Sequence, residues 1–307
     1  MKQQSNKEED KKEQIDSSYI RFYCGGVAGI VSRTLTAPID RVKVLRQMKT
    51  PAIEGLNLLN WGIIALWRGN GVNVLKNCPE SALRFGLHGK FKNLLFPAPE
   101  DGKRHDLTPL QRLLVAGMSG CVSMTCVYPF EVLKTRMTIT TSNEPRSISQ
   151  LARKVYTDGG PLGFYRGYSV AMMSYIPYSS MELALYEIIK RQYMSYFKAY
   201  DLDDTSQSNS MPHLNWFESC GLIMFASLPP MTLVYPLNML RTRFQAKSKK
   251  SPSIRQALIT ILRNEGPLGL YQGFLAQISK TLPAVCIGYA TLESLLELFG
   301  HPTLATR

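Results

Sequence analysis

The sequence predicts an all-α membrane protein, with six transmembrane helices in three repeats of about 100 residues, related by pseudo-threefold symmetry and joined on one side by short surface helices. Two observations carry this reading. A proline-led hexapeptide recurs three times in phase with two further landmarks, and two apolar stretches run uncharged for long enough to cross a bilayer. Of the 307 residues, 45% are hydrophobic and 19% charged, which excludes a disordered or collagen-like chain. A formal charge of +13 favours polyanionic partners: nucleic acid, anionic lipid or a phosphorylated small molecule. Composition does not choose among them.

The hexapeptides read Pro38-Ile-Asp40-Arg-Val-Lys43, Pro129-Phe-Glu131-Val-Leu-Lys134 and Pro236-Leu-Asn238-Met-Leu-Arg241. Downstream of each come an aromatic, a polar residue and a glycine: Trp67-Arg68-Gly69, Tyr165-Arg166-Gly167 and Tyr271-Gln272-Gly273. A further proline follows in each repeat, at Pro79, Pro177 and Pro283. Such a unit is too long for a solenoid repeat and long enough for two helices. Long helices are expected at 19–48, 71–96, 108–139, 169–198, 213–246 and 274–299, and the repeats at 19–106, 107–206 and 207–300. Residues 1–18 mix lysines with acids and have no apolar core, so they read as a disordered tail rather than a secretory or transit signal, and 301–307 form a second tail. Any organelle address would be internal.

No charge falls between Arg112 and Glu131 or between Glu218 and Arg241. The other long segments carry isolated charges such as Arg33 and Lys280, which in a membrane protein face a bundle interior or a wet cavity. Prolines are tolerated in such helices because neighbours or water satisfy the freed carbonyl. The linkers 50–68, 140–166 and 247–272 mix polar and apolar residues at helical spacing, as surface helices do. They are basic, with Lys247, Lys249, Lys250, Arg255 and Arg263 crowding the third, which suits anionic headgroups.

In each signature an acid, or Asn238, is followed three residues later by a base on the same helical face. With the three odd-numbered helices around one axis, Asp40, Lys43, Glu131, Lys134, Asn238 and Arg241 would form a ring of ion pairs closing one end of a pore. Independent local pairs are the plainer alternative. The six cysteines make no C-x-x-C pair, so neither a disulfide framework nor a zinc site is indicated. Asp201-Leu-Asp203-Asp204-Thr205-Ser206 opens like a calcium loop but lacks the glycine at position six and has Pro212 at position twelve. There is no phosphate-cradling glycine loop, and no catalytic constellation that would make the chain an enzyme.

At these signatures the sequence resembles the mitochondrial carrier family, from Tyr19 to the end of the last helix. The resemblance implies a matrix-side gate in which Asp40 pairs with Lys134 and Glu131 with Arg241, while Asn238 fails to pair with Lys43. Gln47 and Gln245 match the glutamines that brace this gate, and Thr138 stands where the middle one would be. The family's cytoplasmic gate, an aromatic-acid-x-x-base motif, is complete only at Tyr186-Glu187-x-x-Lys190, and across repeats only Glu293 with Lys92 keeps both partners. Small residues for close helix approach are present as Gly25-Gly26-x-x-Gly29 and Ala116-Gly117-x-x-Gly120, but the third repeat has Ile223-Met224-x-x-Ser227.

A transporter's site lies near the midplane between repeats. Three residues before each even-helix proline stand Lys76, Ser174 and Lys280, a pattern suited to a ligand with one highly anionic and one uncharged end. With Arg33, the two lysines are expected as unpaired bases for phosphates, with Ser174 the neutral member and Tyr175 stacking on a base ring. Glu80, four residues after Lys76, would share its face and tune it toward a metal-bound phosphate. Glu182 is a partner for a cation or for Lys280, and Thr281 completes the set. The stretch from Trp67 to Phe85 and Ser32-Arg33-Thr34 look like the ATP-Mg/phosphate carriers, although those usually show glycine plus an aliphatic residue where Ser174-Tyr175 stands. The resemblance thus implies a monomeric, multi-pass antiporter of adenine nucleotides, exchanged against nucleotide or phosphate by alternating access, in the inner membrane of a mitochondrion or a related organelle. It implies no nucleic-acid partner and no resident cofactor, Mg travelling with substrate being left open. It also implies anionic lipid such as cardiolipin at the linkers. A carrier of coenzyme A or another nucleotide-like cofactor, and a non-transporting scaffold, are the alternatives.

Overall fold

The computed structural model describes residue 20 and residues 23–48, 63–97, 107–139, 147–198, 216–246 and 253–300. The two tails, the Asp201–Pro212 segment, most of the first linker and Lys247, Lys249 and Lys250 lie outside the described residues. Every long segment expected from the sequence is helical. The first is α1 (residues 23–35), broken at Thr36 and resumed as α2 (Ala37–Gln47). The others are α3 (Asn70–Leu95), α4 (Pro109–Ile139), α6 (Tyr168–Tyr193), α7 (Trp216–Ala246) and α9 (Phe274–Leu298). Two linker helices among the described residues are α5 (Ile148–Gly159) and α8 (Ile254–Glu265), the latter opened by a capping box between Ser253 and Gln256.

Packing closes these helices into a ring. α3 packs on α4, α6 on α7, and α9 returns to α2, so each even-numbered long helix meets the odd helix of the next repeat. The linker helices seal the same seams from below. Leu151 and Val155 of α5 bury against Val72 of α3 and Leu133 of α4, and Ile261 of α8 joins Val170 of α6 with Tyr235, Met239, Leu240 and Phe244 of α7. α4 and α7 are long and apolar enough to cross a membrane by composition alone. The remaining long helices carry charges, and those of the site turn inward.

The three sequence landmarks are parts of one device. Pro38 has no N–H, which frees the carbonyl of Thr34, and the indole Nε1 of Trp67 donates to it at 2.8 Å. Pro129 likewise frees the carbonyl of Thr125, toward which the Tyr165 hydroxyl donates at 3.4 Å. The glycines two residues after these aromatics cap α3, α6 and α9 with φ of 91°, 78° and 82°. A Cβ at each would press on the backbone of the next signature helix: on the Lys134 carbonyl from Gly69, the Arg241 carbonyl from Gly167 and the Lys43 carbonyl from Gly273. The recurring glycine is therefore set by backbone conformation and by clearance at once. Helix seams are fixed by hydroxyls as well: Ser32 donates to the Ala284 carbonyl at 2.6 Å and Ser123 to the Glu80 carbonyl at 3.0 Å.

Candidate functional site

The ring encloses three adjoining spaces. The first, about 540 Å³, is lined by Arg33, Lys76, Lys134 and Lys280 together with Ser32, Asn73 and Gly288. It shares Ile223 and Tyr289 with a second space of about 620 Å³, whose polar walls are Arg84, His88, Tyr175, Glu182 and Tyr186. The third, about 360 Å³, lies among the signature residues Asp40, Lys43, Glu131, Lys134, Asn238 and Arg241, with Ser174 and Tyr175 at its wall. One chamber therefore has a strongly basic side, an aromatic side, and a floor of ion pairs.

At the floor, Lys134 Nζ lies 2.8 Å from Asp40 Oδ2, and Arg241 Nη2 lies 3.2 Å from Glu131 Oε2. Lys43 and Asn238 do not meet in a hydrogen bond, and Lys43 makes no ion pair among the described residues. Lys76 and Lys280, expected as unpaired bases, are paired. Lys76 contacts Glu131 and lies 3.0 Å from Glu80 Oε2, while Lys280 Nζ donates to Asp40 Oδ1 at 2.7 Å. The physical reason is desolvation: Lys76 is only 6% exposed, and a buried ammonium takes the nearest acid even when that acid belongs to another repeat. Each signature acid thus holds two cations, one on its own level and one from the cavity above. Arg33 keeps the expected character, its Nη1 donating to Asn73 Oδ1 at 3.4 Å with no ion pair among the described residues.

Other sequence expectations are corrected. Glu182 does not reach Lys280; it accepts from the Tyr178 hydroxyl at 2.9 Å on its own helix face. Thr281 bonds back to the Gln277 carbonyl at 2.9 Å and faces Met231 of α7, outside the basic cavity. Ser174 is buried and donates to the Ala171 carbonyl at 2.8 Å, so its hydroxyl is spent on its own helix. Tyr175 does line the chamber, with its hydroxyl accepting from Arg84 Nη2 at 3.2 Å. At the opposite end, Lys92, Glu187, Lys190 and Glu293 form no ion pair among the described residues, while Tyr186 borders the aromatic space.

The two glutamines act through tyrosines. Gln47 Nε2 donates to the Tyr235 hydroxyl and Gln245 Nε2 to the Tyr128 hydroxyl, both at 3.0 Å. Those hydroxyls donate onward to the carbonyls of Gln272 at 2.7 Å and Arg166 at 3.0 Å. Both ends of the third link are missing together, since Ala37 occupies the tyrosine position and the Thr138 hydroxyl turns to the Lys134 carbonyl at 2.8 Å. Sequence reasoning overlooked Arg84, Asn73 and this tyrosine pair. The repeated Tyr-Pro at 128–129 and 235–236 was the available signal for the last.

Comparison with known proteins agrees with this architecture. A family model described as mitochondrial carrier protein matches residues 15–98, 105–197 and 212–303. The chain is 34% identical over 281 residues to the mitochondrial adenyl nucleotide antiporter SLC25A24 of Danio rerio, covering 88% of this chain and 56% of that protein. It is 34% identical over 288 residues to the mitochondrial adenyl nucleotide antiporter SLC25A25 of Homo sapiens, covering 90% of this chain and 58% of that protein. The calcium-binding mitochondrial carrier protein SCaMC-2-B of Danio rerio matches at the same identity over 288 residues, again 90% and 58%. The chain spans a little over half the length of these relatives.

Proposed function

Because this chain belongs to the mitochondrial carrier family, whose members are multi-pass proteins of the inner mitochondrial membrane, we propose that it exchanges adenine nucleotides across that membrane by alternating access. The observation that carries the proposal is the convergence of Arg33, Lys76, Lys134 and Lys280 on one cavity that opens onto a second walled by Tyr175, Tyr186, Tyr289 and Arg84. A nucleotide has that polarity: phosphates for the bases, with bidentate contact at Arg33, and a planar ring for the aromatic side. Glu80 beside Lys76 gives a carboxylate near the phosphates, which suits a Mg-complexed nucleotide.

The conformation has Asp40–Lys134 and Glu131–Arg241 made and Lys92, Glu187, Lys190 and Glu293 apart, so the chamber faces the cytoplasmic side. Lys76 and Lys280 couple the cargo to the floor. Phosphates that recruit these two lysines draw them from Glu131 and Asp40, so cargo binding changes the charge balance at the acids that hold the floor shut. A ligand shifts the cycle only by such differential interaction. Uptake of labelled ATP into liposomes preloaded with ATP, ADP, phosphate or coenzyme A tests the proposal. Exchange with the adenine nucleotides is expected; exchange with coenzyme A alone, or none from protein that unfolds cooperatively, would refute it.

A further inference from the structure

The floor of the chamber has more cations than its acids can serve. Asp40 lies 2.8 Å from Lys134 and 2.7 Å from Lys280, and Glu131 serves Arg241 and Lys76. Lys43 lines the same floor with no ion pair among the described residues: Asp40, on its own helix, acts on it only at longer range, and the position that would supply a further carboxylate is Asn238. A half-buried ammonium beside other cations draws a counter-charge.

We propose that Lys43, Asn238 and Arg241 form a second anion site, distinct from the central nucleotide site, that takes a small inorganic oxyanion such as phosphate. All three present donors. Lys43 has three N–H groups, the Asn238 amide has two where an aspartate would repel an anion, and Arg241, which pairs with Glu131 and lies over the Tyr128 ring at 5.9 Å, adds a second positive charge to the cavity wall. Asn238 and Arg241 are three residues apart on one turn of α7, so both face the 360 Å³ space, with Lys43 opposite on α2. Ammonium, amide and guanidinium donors along one cavity wall suit a tetrahedral oxyanion better than a halide, which accepts without directional preference. Bound there, the anion completes the third link that Asn238 leaves open and strengthens the closed floor. This site stands whatever cargo the central cavity takes.

The test uses the full chain in detergent, in gluconate buffer at constant ionic strength, with inorganic phosphate and chloride titrated separately and thermal unfolding recorded. Phosphate is expected to raise the melting temperature saturably and chloride to do so far less. Lys43→Met is expected to weaken the phosphate response about tenfold or more, as loss of one charge-assisted contact does. Asn238→Asp is expected to raise the melting temperature in gluconate and abolish the phosphate response, because the carboxylate then pairs with Lys43. Arg33→Met should weaken the ATP response and leave the phosphate response intact. A phosphate response that follows Arg33→Met instead of Lys43→Met and Asn238→Asp would overturn the proposal, as would equal responses to phosphate and chloride. So would the lack of any phosphate response in protein that ATP still stabilises, an outcome that leaves the central site standing.

Discussion

Replacing Lys76 by methionine keeps most of the side-chain volume and removes the charge, which separates packing from electrostatics. Lys76 is 6% exposed and serves two carboxylates, Glu80 at 3.0 Å and Glu131. Removing one partner of a buried ion pair typically costs 3–5 kcal/mol. Glu131 keeps Arg241 at 3.2 Å, so the lower end applies, about 3 kcal/mol. At roughly 2 °C per kcal/mol for a chain of this size, the melting temperature in detergent falls by about 6 °C. Nucleotide exchange in liposomes suffers separately, because a lost charged contact to phosphate weakens binding by about tenfold to a hundredfold. Adding Glu80→Gln removes one orphaned acid. The double variant should therefore recover part of the stability and none of the exchange. Wild-type melting of the single variant would refute the buried pairing, and recovery of exchange in the double variant would show that Lys76 only neutralises Glu80.

Three further outcomes follow from the geometry. Tyr235→Phe removes a donor to the Gln272 carbonyl and an acceptor for Gln47, so it should cost about 2 kcal/mol in thermal unfolding, whereas Thr138→Val, whose hydroxyl bonds only within its own helix, should cost under about 1 kcal/mol. Gly167→Ala meets φ of 78° and brings a Cβ to 3.1 Å from Phe244 Cβ, so a loss of about 2 kcal/mol is expected, and an unchanged melting temperature would contradict the close approach of α6 to α7. In a background with the native cysteines replaced, Lys92→Cys with Glu293→Cys should cross-link more readily when ATP drives the carrier through its cycle; a yield independent of ATP would count against these residues as the cytoplasmic gate.

How much of the site the sequence disclosed differs by residue. The odd and even helices, their prolines and the aromatic-x-glycine landmarks were legible because each is set within a few neighbouring residues: periodicity gives the face, proline frees a carbonyl, and glycine alone adopts the positive φ. The expectation that Lys76 and Lys280 stand unpaired failed because it compared equivalent positions of the three repeats; Glu80 does share the helix of Lys76, but the other acids sit elsewhere, Glu131 in the following repeat and Asp40 across the ring closure. Thr281 was misjudged for a related reason: its helix was right, but which side of it faces the chamber depends on how α9 is rotated against its neighbours. Glu182 does line the chamber, on its aromatic side rather than beside Lys280.

By itself the amino-acid order determined the threefold repetition, the helical segments and the family, all consequences of local conformational preference repeated three times. Only the tertiary structure decided which charge compensates which. Gln47 with Tyr235 and Lys280 with Asp40 join residues 188 and 240 positions apart. Such partners are chosen by distance between buried groups, where an unmet charge is costly, and that distance exists only once the ring has closed.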